Sequence, residues 1–265
     1  MLMKPKIGLG LVTYNRENYF KKCFQSIPRD GTLDEIVVVN DGTPYNLDIN
    51  VELIQHDTNK GVSVSKNDAF KYLISKGCDY IFLMEDDIII KDKSVFDRYI
   101  NAYKETGIHH FNYSQHGLMN KLPNTETPKP ISNIEYKNTS IQLYLHCVGA
   151  FSFYTKECLN KVGLMDENFY NATEHLEHTY NIIKAGMHPP FWWFADIYES
   201  NKYLSDIPWT ISSSTISSNP NHRNIVNKSY EYFKKKHKLH LLEIPRVSLE
   251  ETKNNLKLIY KNKLS

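Results

Sequence analysis

The densest group of side chains able to do chemistry is Glu85 Asp86 Asp87, which follows the apolar run Tyr80 Ile81 Phe82 Leu83 Met84 and precedes Ile88 Ile89 Ile90. A short apolar run of this kind reads as a buried strand, so the three acids stand at its carboxyl end, where open α/β sheets bind ligands. Adjacent carboxylates repel, and burial worsens the repulsion. Relief comes from a divalent cation or from a set of hydroxyl donors, and carboxylate oxygens suit Mg or Mn better than softer metals. The competing reading is a solvated turn after a strand. Taken alone, the triplet does not choose between the two.

Other residues compete for a role. Asp41 lies in Asn40 Asp41 Gly42 Thr43 Pro44, where an Asx before Gly is also an ordinary turn former. Glu174, His175, Glu177 and His178 crowd one helical turn. Glu174 and His178 have the spacing of a surface pair, and His175 with His178 lacks a third metal ligand at useful spacing. The cysteines, Cys23, Cys78, Cys147 and Cys158, are scattered without CxxC spacing, so neither a zinc site nor a disulfide framework is expected and a reducing cytosol fits. Trp192 Trp193 Phe194 could stack on a sugar, but such clusters more often fill a core. Lys234 Lys235 Lys236 is most simply a solvated basic face.

The elements that must position these groups read as alternating strands and helices. Lys6 to Thr13 is a first strand, Glu17 to Ile27 a helix stopped by Pro28, Ile36 to Val39 a second strand and Val51 to His56 a third. Gly61 leads into a helix with Ala69, Phe70, Leu73 and Ile74 inward, closed at Gly77, and the acidic strand follows. Ser94 to Tyr103 reads as a surface helix, and Gly107 to Ser140 as irregular, a length that is usually functional or mobile. Ile141 to Tyr154 returns to strand character. Helices are expected over Thr155 to Val162 and Thr173 to Lys184, then a strand in Pro189 to Ile197. A Ser/Asn-rich loop after Ser212 leads to a helix from Ile225 to Lys236 and a basic tail. The pattern predicts an α/β fold with a mostly parallel sheet.

Composition is that of a soluble globular chain: 265 residues, 41% hydrophobic, 23% charged, net charge +2. That balance argues against a dedicated nucleic-acid binder. No stretch of about 18 apolar residues exists, so no membrane span is expected, and the run Ile7 to Val12 is too short for a signal sequence.

The order of motifs resembles the inverting glycosyltransferases of family 2, which have the GT-A fold. The resemblance rests on Val12 Thr13 Tyr14 Asn15 Arg16, Val38 Val39 Asn40 Asp41 Gly42 Thr43, Asn59 Lys60 Gly61 with Lys66 Asn67, and Glu85 Asp86 Asp87. Downstream it continues through Gly149 Ala150 Phe151, Lys161 to Glu167, and Thr173 Glu174 His175 Leu176 Glu177. It implies a GT-A, Rossmann-like central sheet flanked by helices, a small mixed sheet on the acceptor side and a helical C-terminal tail. One catalytic domain would span residues 1–210, with a donor half to about 105 and an acceptor half from 106, and 211–265 would form a loop plus basic extension.

By position in that family, Thr13, Tyr14 and Arg16 would line the base and ribose pocket of a nucleotide-sugar donor. Asp41 would accept from the base, which for a uracil-type ring needs an acceptor, and Lys66 would reach the base or a phosphate. Within the triplet the resemblance implies Asp87 as the Mn or Mg ligand, Asp86 as a ribose or metal-shell contact and Glu85 behind them. The cation would stabilise a departing diphosphate without a proton.

The family's Glu-Asp at the second-half helix start is here Glu174 His175. The base is therefore expected among His175, Glu174 and Glu177, with His175 suited by its ordinary pKa. His222 Arg223 would lie in a flexible loop that closes over the diphosphate.

The expected activity is metal-dependent transfer from a nucleotide sugar, most simply UDP-linked, to a hydroxyl of a glycan or lipid-linked saccharide, as in polysaccharide biosynthesis. A cytoplasmic protein touching the inner membrane face through its basic end is expected, and a modified base in DNA is the rarer acceptor. The alternatives are a non-catalytic binding homologue, which the change at His175 would explain, and a sugar nucleotidyltransferase. The last is disfavoured because no Gly-rich, Lys/Arg-bearing phosphate loop follows the first strand.

Overall fold

The computed structural model describes residues 4–208 and 218–264. The first strand, β1 (Ile7–Thr13), is buried throughout, as a continuous apolar run should be when both faces of a parallel sheet are covered. After α1 (Glu17–Ser26), β2 (Glu35–Asn40) pairs parallel with β1 and β3 (Glu52–Gln55) parallel with β2. Helix α2 (Val62–Ser75) then leads back to β4 (Tyr80–Glu85), parallel to the other side of β1.

The chain continues through β5 (Ile88–Ile90), α3 (Val95–Thr106), β6 (His110–Asn112), β7 (Ser132–Glu135), β8 (Ser140–Tyr144), β9 (Phe151–Thr155) and α4 (Lys156–Val162). It ends with α5 (Glu174–Lys184), β10 (Phe194–Ile197), β11 (Leu204–Asp206), α6 (His222–His237) and α7 (Leu249–Leu264). The main sheet has the order β3-β2-β1-β4-β9-β6, with β9 antiparallel to both neighbours. The smaller sheet, β10-β8-β7, is antiparallel throughout rather than mixed, and β11 pairs with β5.

The strand order reverses direction between β1 and β4. Their carboxyl ends therefore diverge into a crevice, and ligands of doubly wound sheets bind at that switch point. Val12 lies opposite Glu85 in the register, which sets Thr13 and Arg16 against the acidic triplet.

Several segments depart from expectation. Ile141 to Tyr154 splits into β8 and β9 of different sheets, with Gly149 in the break. A Cβ at Gly149 would lie 2.6 Å from the His175 ring, so the break is where the chain admits α5. The span Gly107 to Ser140 contains β6 and β7, strands too short to carry a pattern of their own and formed by pairing with β9 and β8. Helix α3 is no surface helix, because Val95, Phe96, Tyr99, Ile100 and Ala102 are buried. His222 and Arg223 open α6 instead of lying in a loop, and the expected Ser/Asn-rich loop lies outside the described residues up to Ser217.

The stretch expected as an extension is, over 218–264, packed into the body. Phe233 of α6 is buried with Phe169, Phe191 and Phe194, and Leu256 and Ile259 of α7 join the main core. Trp192 and Trp193 donate their indole N–H to the carbonyls of Ile244 and Val247 at 2.7 and 3.0 Å, so this aromatic cluster is structural. Among the described residues no helix is long and apolar enough to cross a membrane.

One buried carboxylate ties the two sheets to α3. Asp196 of β10 accepts from Tyr99 Oη (2.7 Å), Ser200 Oγ (2.7 Å) and the backbone N–H groups of Ser114 (2.9 Å) and Ile197 (2.8 Å). Two of these donors cannot turn away, so an amide at this position would place N–H against N–H. Asp196→Asn is expected to cost about 2 kcal/mol in urea denaturation, while the exposed Asp48→Asn changes stability by no more than about 0.5 kcal/mol.

Candidate active site

The centre of the crevice is built from α2. Lys66 is 1% exposed, and its ammonium donates to Glu85 Oε1 at 2.8 Å, Glu174 Oε1 at 3.2 Å and the carbonyl of Gly149 at 3.3 Å. Burial alone would push the Lys66 pKa down, but the Glu85 and Glu174 carboxylates outweigh it and hold the group above the ordinary lysine value. Burial would likewise raise Glu85 and Glu174, and Lys66 instead draws both below the usual carboxylate range. Lys66 is thus neither a solvated helix lysine nor free to reach a nucleotide. It joins the end of β4 to the start of α5.

The rest of the triplet faces β1. Tyr45 Oη accepts from the backbone N–H of Arg16 at 3.0 Å and lies 2.7 Å from Thr13 Oγ1, which donates to Asp86 Oδ2 at 2.6 Å. The Arg16 guanidinium bonds Asp86 Oδ1 through Nη2 and Asp87 Oδ2 through Nη1, the latter at 3.2 Å. Burial pushes the Asp86 carboxyl up to about 7, against Arg16 and with the help of Asp87. Asp87 Oδ1 is buried and has no hydrogen-bond partner.

That orphaned oxygen tests whether a divalent cation fits. Among the described residues no group of three or more His, Cys, Asp or Glu side chains forms a ready metal cluster. Mg-like ions, however, keep several waters and are held by one or two carboxylates plus substrate phosphates. An all-oxygen pair with one unfilled buried lone pair fits that requirement.

Asp41 is held more tightly than a base acceptor requires. Its Oδ1 accepts from His56 Nδ1 and Lys60 N–H, both at 2.7 Å, and Oδ2 accepts from Gly61 N–H at 2.8 Å. Gly61 has φ +93, and a Cβ there would lie 2.5 Å from the Tyr170 ring, so Asp41 fastens a turn that only glycine suits. Val12, Thr13, Tyr14, Arg16, Asp41, Glu85 and Asp86 line one cavity together with Tyr170, Asn171 and Asn219. These last three have no motif of their own in the sequence. Tertiary contacts bring in the first two, through Tyr170 Oη to Asn59 (2.7 Å) and Val62 N–H to Asn171 (3.0 Å).

At the start of α5, His175 Nδ1 lies 3.2 Å from Glu174 Oε1, and its ring packs on Gly149. Glu177 is turned elsewhere: its carboxylate is buried and bonds Lys236 (2.8 Å), His237 (2.9 Å) and Asn181 (2.9 Å). Lys236 also bonds Asp166 at 2.6 Å, so one lysine of the basic run is spent internally. A further residue, His116, feels the field of the triplet. His116 Nδ1 meets Asp206 at 2.9 Å. Burial opposes its charge, but Asp206 and the field of Asp87 raise its pKa to about 9.

Likeness to known proteins shows the family and the fold. The profile of glycosyl transferase family 2 matches residues 9–163, more than half of the chain. The chain belongs to glycosyl transferase family 2. Over 229 residues it is 26% identical to an uncharacterized glycosyltransferase of Acanthamoeba polyphaga mimivirus, covering 80% of this chain and 85% of that one. Its fold resembles Staphylococcus aureus TarS 1-349 in complex with UDP-GlcNAc, with a TM-score of 0.51 and 14% identity. That overlay covers 96% of this chain and 71% of TarS 1-349. It also resembles GalNAc-T7 with UDP, GalNAc and Mn2+, with a TM-score of 0.53 and 12% identity over 97% of this chain and 54% of that one. The fold is GT-A, and this chain spans about half the length of the longer structure.

Two predictions follow from the charges of this family 2 glycosyltransferase. Lys66→Met removes the cation from the buried Glu174 and the half-buried Glu85 and is expected to cost about 3 kcal/mol of stability; adding Glu174→Gln should restore part of the loss in the same denaturation assay. His116 has a folded pKa above its ordinary 6.5, so its stabilising contribution is complete below that value and is lost as pH rises toward 9. The stability gap between wild type and His116→Gln should accordingly shrink across that interval.

Proposed function

We propose that this chain transfers a sugar from a UDP-linked donor to a hydroxyl of a glycan or lipid-linked saccharide, with inversion and with a divalent cation held at Asp87. The observation that carries the reading is the orphaned Asp87 oxygen next in the chain to Asp86, which lines one cavity with Thr13, Asp41 and Glu85, while Lys66 joins Glu85 to the Glu174 His175 pair. Thr13, Tyr14, Tyr170 and Asn171 would enclose base and ribose. Asp41 Oδ2 carries a single protein donor and keeps a lone pair for a ring N–H. When bound, the cation would supply charge stabilisation to the departing diphosphate.

The base in this reading is His175. Glu174 is held ionised well below the usual range by burial overcome through Lys66 and His175, so it is a weak proton acceptor and a good orienting partner. A carboxylate there accepts a hydrogen bond from the imidazole Nδ1–H and so leaves Nε2 as the proton acceptor. His175 would remove the hydroxyl proton as the acceptor oxygen attacks the anomeric carbon opposite the leaving diphosphate. Glu177 is left out of the proposal because Lys236 and His237 hold it.

Thermal-shift measurements against UDP, GDP, CDP and dTDP with and without Mn2+ test the donor side. UDP with Mn2+ should stabilise wild type most, and Asp87→Asn should lose the metal-dependent part. Absence of stabilisation by every nucleotide would sink the reading. In donor-consumption assays, His175→Ala should lower kcat by about a hundredfold or more while leaving UDP affinity in place, and Gly149→Ala should do the same by displacing the ring. A nucleotide-binding but inert wild type would instead identify a non-catalytic homologue.

A further inference from the structure

We propose that Arg16 is an internal counter-cation that competes with the divalent metal for the same two carboxylates and must leave them when metal binds. The proposal rests on the metal-dependent reading above and adds a gate to it. Arg16 spans both acids, Nη2 to Asp86 and Nη1 to Asp87 at 3.2 Å, with its side chain 14% exposed. A guanidinium and a divalent ion cannot share two carboxylates within a few ångströms without strong repulsion.

The fork is also incompletely satisfied. Arg16 Nε is buried without a partner, and Asp87 Oδ1 faces no donor at all. A guanidinium built only to neutralise this pair would be expected to fill those positions, because unmade hydrogen bonds at buried charges are costly. The arrangement instead holds the acids together while leaving one metal-competent oxygen open.

The side chain has room and reason to move. Its backbone is anchored by the Tyr45 hydroxyl at 3.0 Å, so a swing need not disturb β1 or α1. In the paired position the guanidinium carbon already lies 5.2 Å from the Tyr19 ring, a cation–π contact. Arg16 also lines the donor cavity, where a displaced guanidinium would meet a diphosphate in the two-pronged geometry that arginine favours. Metal and nucleoside diphosphate would then bind with positive coupling, since each removes part of the cost of displacing Arg16.

The test is Mn2+ titration of the full chain without nucleotide, read by the electron paramagnetic resonance signal of free Mn2+. R16Q should bind Mn2+ at least tenfold more tightly than wild type, R16K should fall between them, and K22Q, a charge-matched change on the exposed side of α1, should match wild type. Addition of UDP should narrow the gap between wild type and R16Q. If R16Q fails to fold, R16K decides, and its binding Mn2+ no more tightly than wild type overturns the proposal. Equal affinity of wild type and R16Q likewise overturns it while leaving metal dependence standing. If neither binds Mn2+ even with UDP, the metal reading itself falls and the gate with it.

Discussion

An ammonium group almost wholly removed from water is tolerable only if its charge is answered on the spot, and Lys66 is answered by two carboxylates from distant parts of the chain. This constraint reaches further than any other in the molecule. Glu85 ends the strand that delivers the acidic triplet, and Glu174 begins the helix that delivers His175. The carbonyl of Gly149 completes the set from the break between two strands. Movement of any one of these segments would expose or strand a buried charge. The end of β4 and the start of α5 are therefore held in register by electrostatics as much as by apolar packing.

The same charge sets the chemistry on either side. Because Lys66 keeps Glu85 and Glu174 ionised, neither competes for protons near neutral pH. In the proposed reaction, proton transfer falls to the imidazole beside Glu174. The remaining two acids of the triplet lie outside the reach of Lys66 and are answered by Arg16 and the Thr13 hydroxyl. One row of three carboxylates thus has two different counter-ions, one locked in the core of the crevice and one at its wall. A cation entering the crevice meets only the second.

Around this centre the fold supplies position without further chemistry. The reversal of strand order between β1 and β4 opens the crevice, and the Asp41 turn closes one side of it. Helix α6 braces α5, where Glu177 pairs with Lys236 and His237, and α7 packs at the end of α3, against Gly107. The residues that look catalytic on α5 consequently divide between the site and the scaffold.

Much of this was legible in the sequence, for reasons that are local. Continuous apolar runs such as Ile7 to Val12 and Ile81 to Met84 declare buried parallel strands, and the polar residues that follow each of them mark the binding edge. The motif order placed Thr13, Asp41, Lys66 and the triplet in one α/β frame before any coordinates. Tertiary structure decided which partner each charged group takes. It alone gave Lys66 to two glutamates, turned Glu177 toward α6, put Arg16 on the acids and carried Tyr170 and Asn171 to the cavity that Thr13 and Asp41 line. Spacing along a chain fixes which faces residues share within one element, whereas ion pairing depends on distances between elements that only packing sets.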